Sequence, residues 1–115
     1  FNRYFGVTPD NDSNGCLQDI HWSAGLLGYF PTYALGNMYA AQFFDTADEE
    51  LGGLHDQFAR GEFLPLKNWL NEKIHQPGKQ LSADELVEHV TGKPLSHVPL
   101  MKHLRTRFGA LYGLD

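Results

Sequence analysis

Cysteine occurs once in these 115 residues, at Cys16, which excludes an internal disulfide and fits a reducing compartment such as the cytoplasm. No apolar run approaches the ~20 residues that a membrane-spanning helix needs, so no membrane partner is expected. Basic residues are also scarce. Nine Lys and Arg stand against fourteen Asp and Glu, a formal net charge of -5. That balance argues against a nucleic-acid partner, because binding phosphates requires a clustered basic surface. Repeats, low-complexity tracts and interior linkers are missing too, and the length suits one domain, 1–115. Six histidines are present (His21, His55, His75, His89, His97 and His103), but no two lie four apart on one helix face and no HExxH can be written. A metal site made by this chain is therefore not expected, and all but His21 read as surface residues.

The apolar residues concentrate in one stretch, Gly15 to Gln42, which contains no Lys, Arg or Glu. It carries Cys16, Asp19, His21, Trp22, three tyrosines (Tyr29, Tyr33 and Tyr39) and several glycines. So apolar a segment predicts burial. Burial in turn predicts hydrogen-bonded partners for Gln18, Asp19, His21 and Asn37, since an unpaired buried polar group costs roughly 1–3 kcal/mol. Such a segment builds either the wall of a site or a polar core network.

The rest of the pattern is helical. Phe1 to Gly6 reads as the last turn of a helix closed by Gly6, and with no Met at the start the chain is expected to begin inside a longer product. Val7 to Gly15, rich in Asp and Asn, reads as a solvated loop. Leu17 to Trp22 fits neither strict alternation nor a helical stripe, so a short irregular or single-turn segment is predicted. Pro31 suits the first turn of a helix that continues through Leu51 and is apolar nearly all round between Tyr33 and Phe44, which predicts a central position. Short amphipathic helices follow over Leu54 to Ala59 and Leu64 to His75, the second presenting Leu66, Trp69, Leu70 and Ile74 on one face. Ser82 and Glu85 form a capping box for the helix starting at Ala83, which Gly92 and Pro94 end. A last helix starts at Pro99 and repeats Leu104, Phe108 and Leu111 at helical spacing.

Two constellations could carry chemistry. Asp19 can fix the tautomer of His21 and raise its basicity, although a satisfied structural histidine is the plainer alternative. Tyr29 and Tyr33, four apart, can face one side and donate phenolic hydrogens to a developing oxyanion, or simply pack as core aromatics. Ser13 and Ser23 lack the surroundings of a nucleophile elbow, and nothing near Cys16 marks it as a nucleophile.

The residues Gly15-Cys16-Leu17-Gln18-Asp19-Ile20-His21-Trp22 have the form GxxQDxHW, and GYFPTYALGNMYAAQ follows from Gly28 to Gln42. Together with Arg60-Gly61-Glu62-Phe63, Trp69-Leu70, Ile74-His75, Val90-Thr91-Gly92-Lys93-Pro94-Leu95 and Leu111-Tyr112-Gly113-Leu114, this pattern resembles the C-terminal portion of the thermostable (Taq-type) zinc metallocarboxypeptidases. The resemblance covers essentially the whole chain. It implies an all-α fragment of a larger, mostly helical, zincin-like enzyme. It further implies an enzyme, usually homodimeric in this family, that releases single C-terminal amino acids from peptide substrates using zinc, with cobalt a possible replacement. Their two HExxH histidines, a downstream glutamate and the HExxH general base do not occur here. The missing N-terminal part of the same enzyme is thus an expected partner, and the chain alone is expected to be inactive. Carried over by position, the motif places His21 as a donor to substrate or tetrahedral intermediate, with Asp19 and Gln18 beside it and Tyr29, ahead of Tyr33, at the oxyanion. The contrasting expectation is a non-catalytic helical interaction or dimerisation module.

Overall fold

A computed structural model describes residues 1–114, and every regular element among them is helical, as expected. Two compact units divide the chain, Phe1–Tyr33 and Ala34–Asp115.

In the first unit, α1 (Asn2–Phe5) ends on Gly6 at φ 69, a left-handed conformation that a side chain would strain. The loop after it holds a 3-10 turn at Asp12–Asn14, where the Asn11 side chain accepts from the Asn14 N–H at 3.0 Å. A second 3-10 turn, Cys16–Gln18, leads into the single-turn helix α2, Ile20–Ser23. Both match the short irregular segment read from Leu17 to Trp22.

The expected burial of this region is not what the fold provides. No residue of the first unit is buried: Ile20 is 74% exposed and Leu27 75%, while Asp19 and His21 are half-buried. Asn37, expected to need a partner, is exposed. The reason is size, since about thirty residues have too much surface for their volume to enclose a core. Apolar composition reports what a segment can cover and does not report what covers it.

The long helix α3, Phe30–Leu51, starts one residue before Pro31, whose missing N–H falls among the unpaired donors of a first helical turn. Only its second half is central. Ala47 is fully buried and packs in one cluster with Leu54, Trp69 and Val90, flanked by Phe43, Phe44 and Leu51. Nearer the start, Leu35 is 43% exposed. Around that cluster lie α4 (Leu54–Ala59), α5 (Leu64–Leu70) and α6 (Ala83–Thr91), while α7 (Val98–Tyr112) contributes no residue to it. A π-turn at Asn71–His75 prolongs α5 to the predicted end of that helix. The predicted face Leu66, Trp69, Leu70 and Ile74 is the one that packs. Gly92 ends α6 at φ 69, as predicted.

Candidate functional site

The candidate site lies within the first unit and is built around α2. Asp19 precedes that helix, and its Oδ1 accepts the His21 backbone N–H at 2.8 Å, which caps a first-turn donor. The same Oδ1 lies 2.6 Å from His21 Nδ1. One carboxylate thus holds both the backbone and the ring of His21. The backbone hydrogen bond is the strongest influence keeping the Asp19 carboxyl below its usual range. The ring hydrogen bond adds to it and desolvation partly opposes it. Asp19 is therefore ionised at neutral pH.

After α2 the chain turns back on itself. Gly25 and Gly28 adopt φ 69 and 80, and the Leu26 N–H donates to the His21 carbonyl at 2.9 Å. Only glycine takes these left-handed angles without strain. The reversal brings the first turn of α3 onto the His21 ring, whose centroid lies 4.9 Å from Phe30, 5.5 Å from Tyr29 and 5.7 Å from Tyr33. Tyr29 stacks on the ring and Tyr33 meets it edge-on. The two tyrosines pack against each other at 5.1 Å, in line with a shared face. Tyr33 Oη sits 3.0 Å from His21 Nε2.

The structure therefore joins Asp19, His21 and Tyr33 in a continuous hydrogen-bond chain and places Tyr29 against it. With Nδ1 on Asp19 and Nε2 on Tyr33, both ring nitrogens of His21 have partners inside the cluster. The polar group at the end of the chain is the Tyr33 hydroxyl. Gln18 stands apart, its amide donating to the Ser13 carbonyl. It shares with Cys16, Asp19, His21 and Trp22 the lining of an open depression of about 630 Å³. The Cys16 thiol is free and exposed.

Sequence reasoning missed Phe30, the nearest ring to His21, which also meets Trp22 at 5.8 Å. Its place three residues before Tyr33, on the same helical face, was the available signal.

Among the described residues no three His, Cys, Asp or Glu side chains converge on a point where an ion could sit. The other histidines are exposed and scattered.

Several stretches that carry the family pattern have structural roles in the second unit. Gln42 is buried and holds the loop between α6 and α7 through Thr91, Lys93, Pro94 and Ser96. Arg60 pairs with Glu62 at 2.9 Å, and Trp69 Nε1 donates to Glu50 at 2.7 Å.

A sequence model of the carboxypeptidase Taq (M32) metallopeptidases matches residues 1–108. Thermostable carboxypeptidase 1 of Thermus thermophilus is 48% identical over 113 residues, covering 98% of this chain and 22% of that protein. Carboxypeptidase 1 of Bacillus subtilis is 42% identical over 114 residues, covering 99% of this chain and 23% of that protein. Among solved structures, Trypanosoma cruzi metallocarboxypeptidase 1 matches with a TM-score of 0.84 at 42% identity, over 92% of this chain and 23% of that one. The chain thus spans less than a quarter of the length of the curated relatives it matches. Because the match runs through the Asp19–His21 segment and the loop held by Gln42 alike, this chain belongs to the carboxypeptidase Taq (M32) metallopeptidase family.

Proposed function

We propose that this chain forms one wall of a metallocarboxypeptidase active site, in an enzyme that hydrolyses the C-terminal peptide bond of peptides and releases single amino acids. The observation that carries this reading is the Asp19–His21–Tyr33 hydrogen-bond chain, with Tyr29 stacked beside it. Ordered phenol and imidazole groups held by a buttressing carboxylate suit the binding of a peptide carboxylate or of the oxygen that becomes negative when a peptide carbonyl is attacked. The zinc ligands and the general base are assigned to residues outside this chain, because the sequence contains no HExxH. The 115-residue chain alone is accordingly inactive. We also propose a homodimeric, cytoplasmic enzyme, the compartment being supported by the free Cys16.

The test is chelator-sensitive release of a C-terminal amino acid from a blocked peptide, comparing this chain with a longer natural chain that contains it. Activity is expected only in the longer chain, with zinc restoring it after chelation. His21→Ala there should lower kcat by up to about 10²–10³, the usual cost of losing one oxyanion-type donor, because it removes the ring that holds the Tyr33 hydroxyl in place. Turnover by the short chain alone would overturn the assignment of the metal site.

A further inference from the structure

The hydrogen positions in the Asp19–His21–Tyr33 chain follow from the acids and bases present. Asp19 is an ionised carboxylate and can only accept, so the 2.6 Å contact requires the hydrogen on His21 Nδ1. In the neutral ring Nε2 then has only a lone pair. The hydrogen in its 3.0 Å contact must come from the Tyr33 hydroxyl. In that state the phenolic hydrogen points inward and Tyr33 offers only oxygen lone pairs outward, which repel an anion. Adding a proton to Nε2 reverses this. The imidazolium donates Nε2–H to Tyr33 Oη, and the freed phenolic hydrogen rotates outward as a donor. The charge of Asp19 and the new charge on His21 balance, so the cluster changes from anionic to neutral overall.

We propose that Asp19, His21 and Tyr33 form a proton-controlled donor switch, in which proton uptake at His21 turns the Tyr33 hydroxyl outward to bind an anionic oxygen of a peptide ligand. Tyr33 is the group that touches the ligand, and His21 and Asp19 are positioning residues acting through it. The surroundings keep the switch simple. The groups in contact with His21 are the Asp19 carboxylate, the phenols of Tyr29 and Tyr33 and the apolar ring of Phe30, and the Cys16 thiol and the first residue, Phe1, line the open depression beside it. No Lys or Arg occurs between Gly15 and Gln42 to supply a competing positive charge. Tyr33 is 51% exposed, and its contact with His21 lies at the surface of the cluster. This inference deepens the proposed function by naming the ligand chemistry and its coupling to a proton.

Two measurements on the 115-residue chain test it. The first is ¹⁵N NMR of the His21 ring across the range in which histidine changes charge, about pH 5 to 8. Nδ1 should carry the hydrogen at the high end and both nitrogens should carry one at the low end. Tyr33→Phe should shift Nε2 and leave Nδ1 unchanged. The second is binding of two probes, N-acetyl-phenylalanine for a carboxylate and a phosphinate peptide analogue for a tetrahedral oxyanion. At least one should bind about tenfold more tightly at the acid end than at the alkaline end, and Tyr33→Phe should abolish that difference. Because Tyr33→Phe leaves every histidine in place, general attraction of anions at low pH would survive it. A neutral ring protonated on Nε2, probe binding equal at both ends, or a pH difference retained in Tyr33→Phe would each overturn the proposal. If Tyr33→Phe fails to fold, the ring-nitrogen pattern and the probe binding of the unsubstituted chain still decide it. Neither measurement needs turnover, so absence of peptidase activity in the longer chain would remove the enzymatic reading without touching these results.

Discussion

Gln42 is 5% exposed, yet both ends of its amide are engaged. Nε2 donates to Thr91 Oγ1 at 3.1 Å and to the carbonyls of Lys93 and Pro94 at 3.3 and 3.1 Å, and Oε1 accepts from the Ser96 N–H at 2.9 Å. The two amide hydrogens serve three oxygens at and just beyond the end of α6, of which the Lys93 carbonyl also accepts from the Thr91 hydroxyl at 3.1 Å. Gln42→Ala would remove this partner from groups that are only partly shielded from water, at about 2 kcal/mol for the set. Urea unfolding should show a lower midpoint with unchanged slope. A loss under about 0.5 kcal/mol would mean that water replaces the amide fully. That a polar residue sits inside an apolar helix was visible in the sequence. Its partners, 49 to 54 residues away, were not, because no local pattern encodes a contact across that separation.

Among the elements, α6 is the one whose sequence and structure coincide most closely. The Ser82 hydroxyl accepts the Glu85 N–H, and the Glu85 carboxylate accepts the Ser82 N–H at 2.8 Å. Hydrogen bonds from the Ser82 hydroxyl and then its backbone hold the Glu85 carboxyl below the usual glutamate range. Ser82→Ala should cost about 1 kcal/mol, read as a lower thermal midpoint, and Ser82→Thr should recover most of it. Equal stability of the Ala variant would show that the cap contributes nothing here. Such a cap was legible because it lies within four residues. The π-turn at Asn71–His75 was not, since the spacing of Leu70 and Ile74 suits an α-helix equally well. In α7 the stripe of Leu104, Phe108 and Leu111 was legible as a stripe, yet these residues remain 38%, 39% and 70% exposed.

For the molecule as a whole, exposed apolar surface is the dominant feature. Large hydrophobic side chains from Leu17 to Leu35 and along α7 lie open, including Leu27 at 75% and Leu111 at 70%. Contiguous apolar surface beyond a few hundred Å² favours association. Light scattering should therefore give an apparent mass that rises with concentration for the 115-residue chain, and Leu104→Lys with Phe108→Lys should reduce the rise. A monodisperse monomer over the same range would count against it. The same observation bears on the expected homodimer and on the expected cover from the rest of a longer enzyme. The longer natural chain separates the two, because internal cover would suppress the concentration dependence there.

Helical class, helix limits, the Ser82–Glu85 cap and the family were all determined by the sequence alone. Each depends on residues a few positions apart, or on a fixed spacing such as that from Gly15 to Trp22. The pairing of Asp19 with His21 belongs with these, being two residues apart across a capped turn. Tertiary structure decided which phenol meets the His21 ring nitrogen and what holds the loop after Thr91. Tyr33 reaches Nε2 only because Gly25 and Gly28 reverse the chain between them, so the choice over Tyr29 depends on backbone direction, which composition does not carry. Burial was likewise decided by tertiary structure: an apolar residue becomes buried only when another surface closes over it, and that closure is a property of the folded contacts.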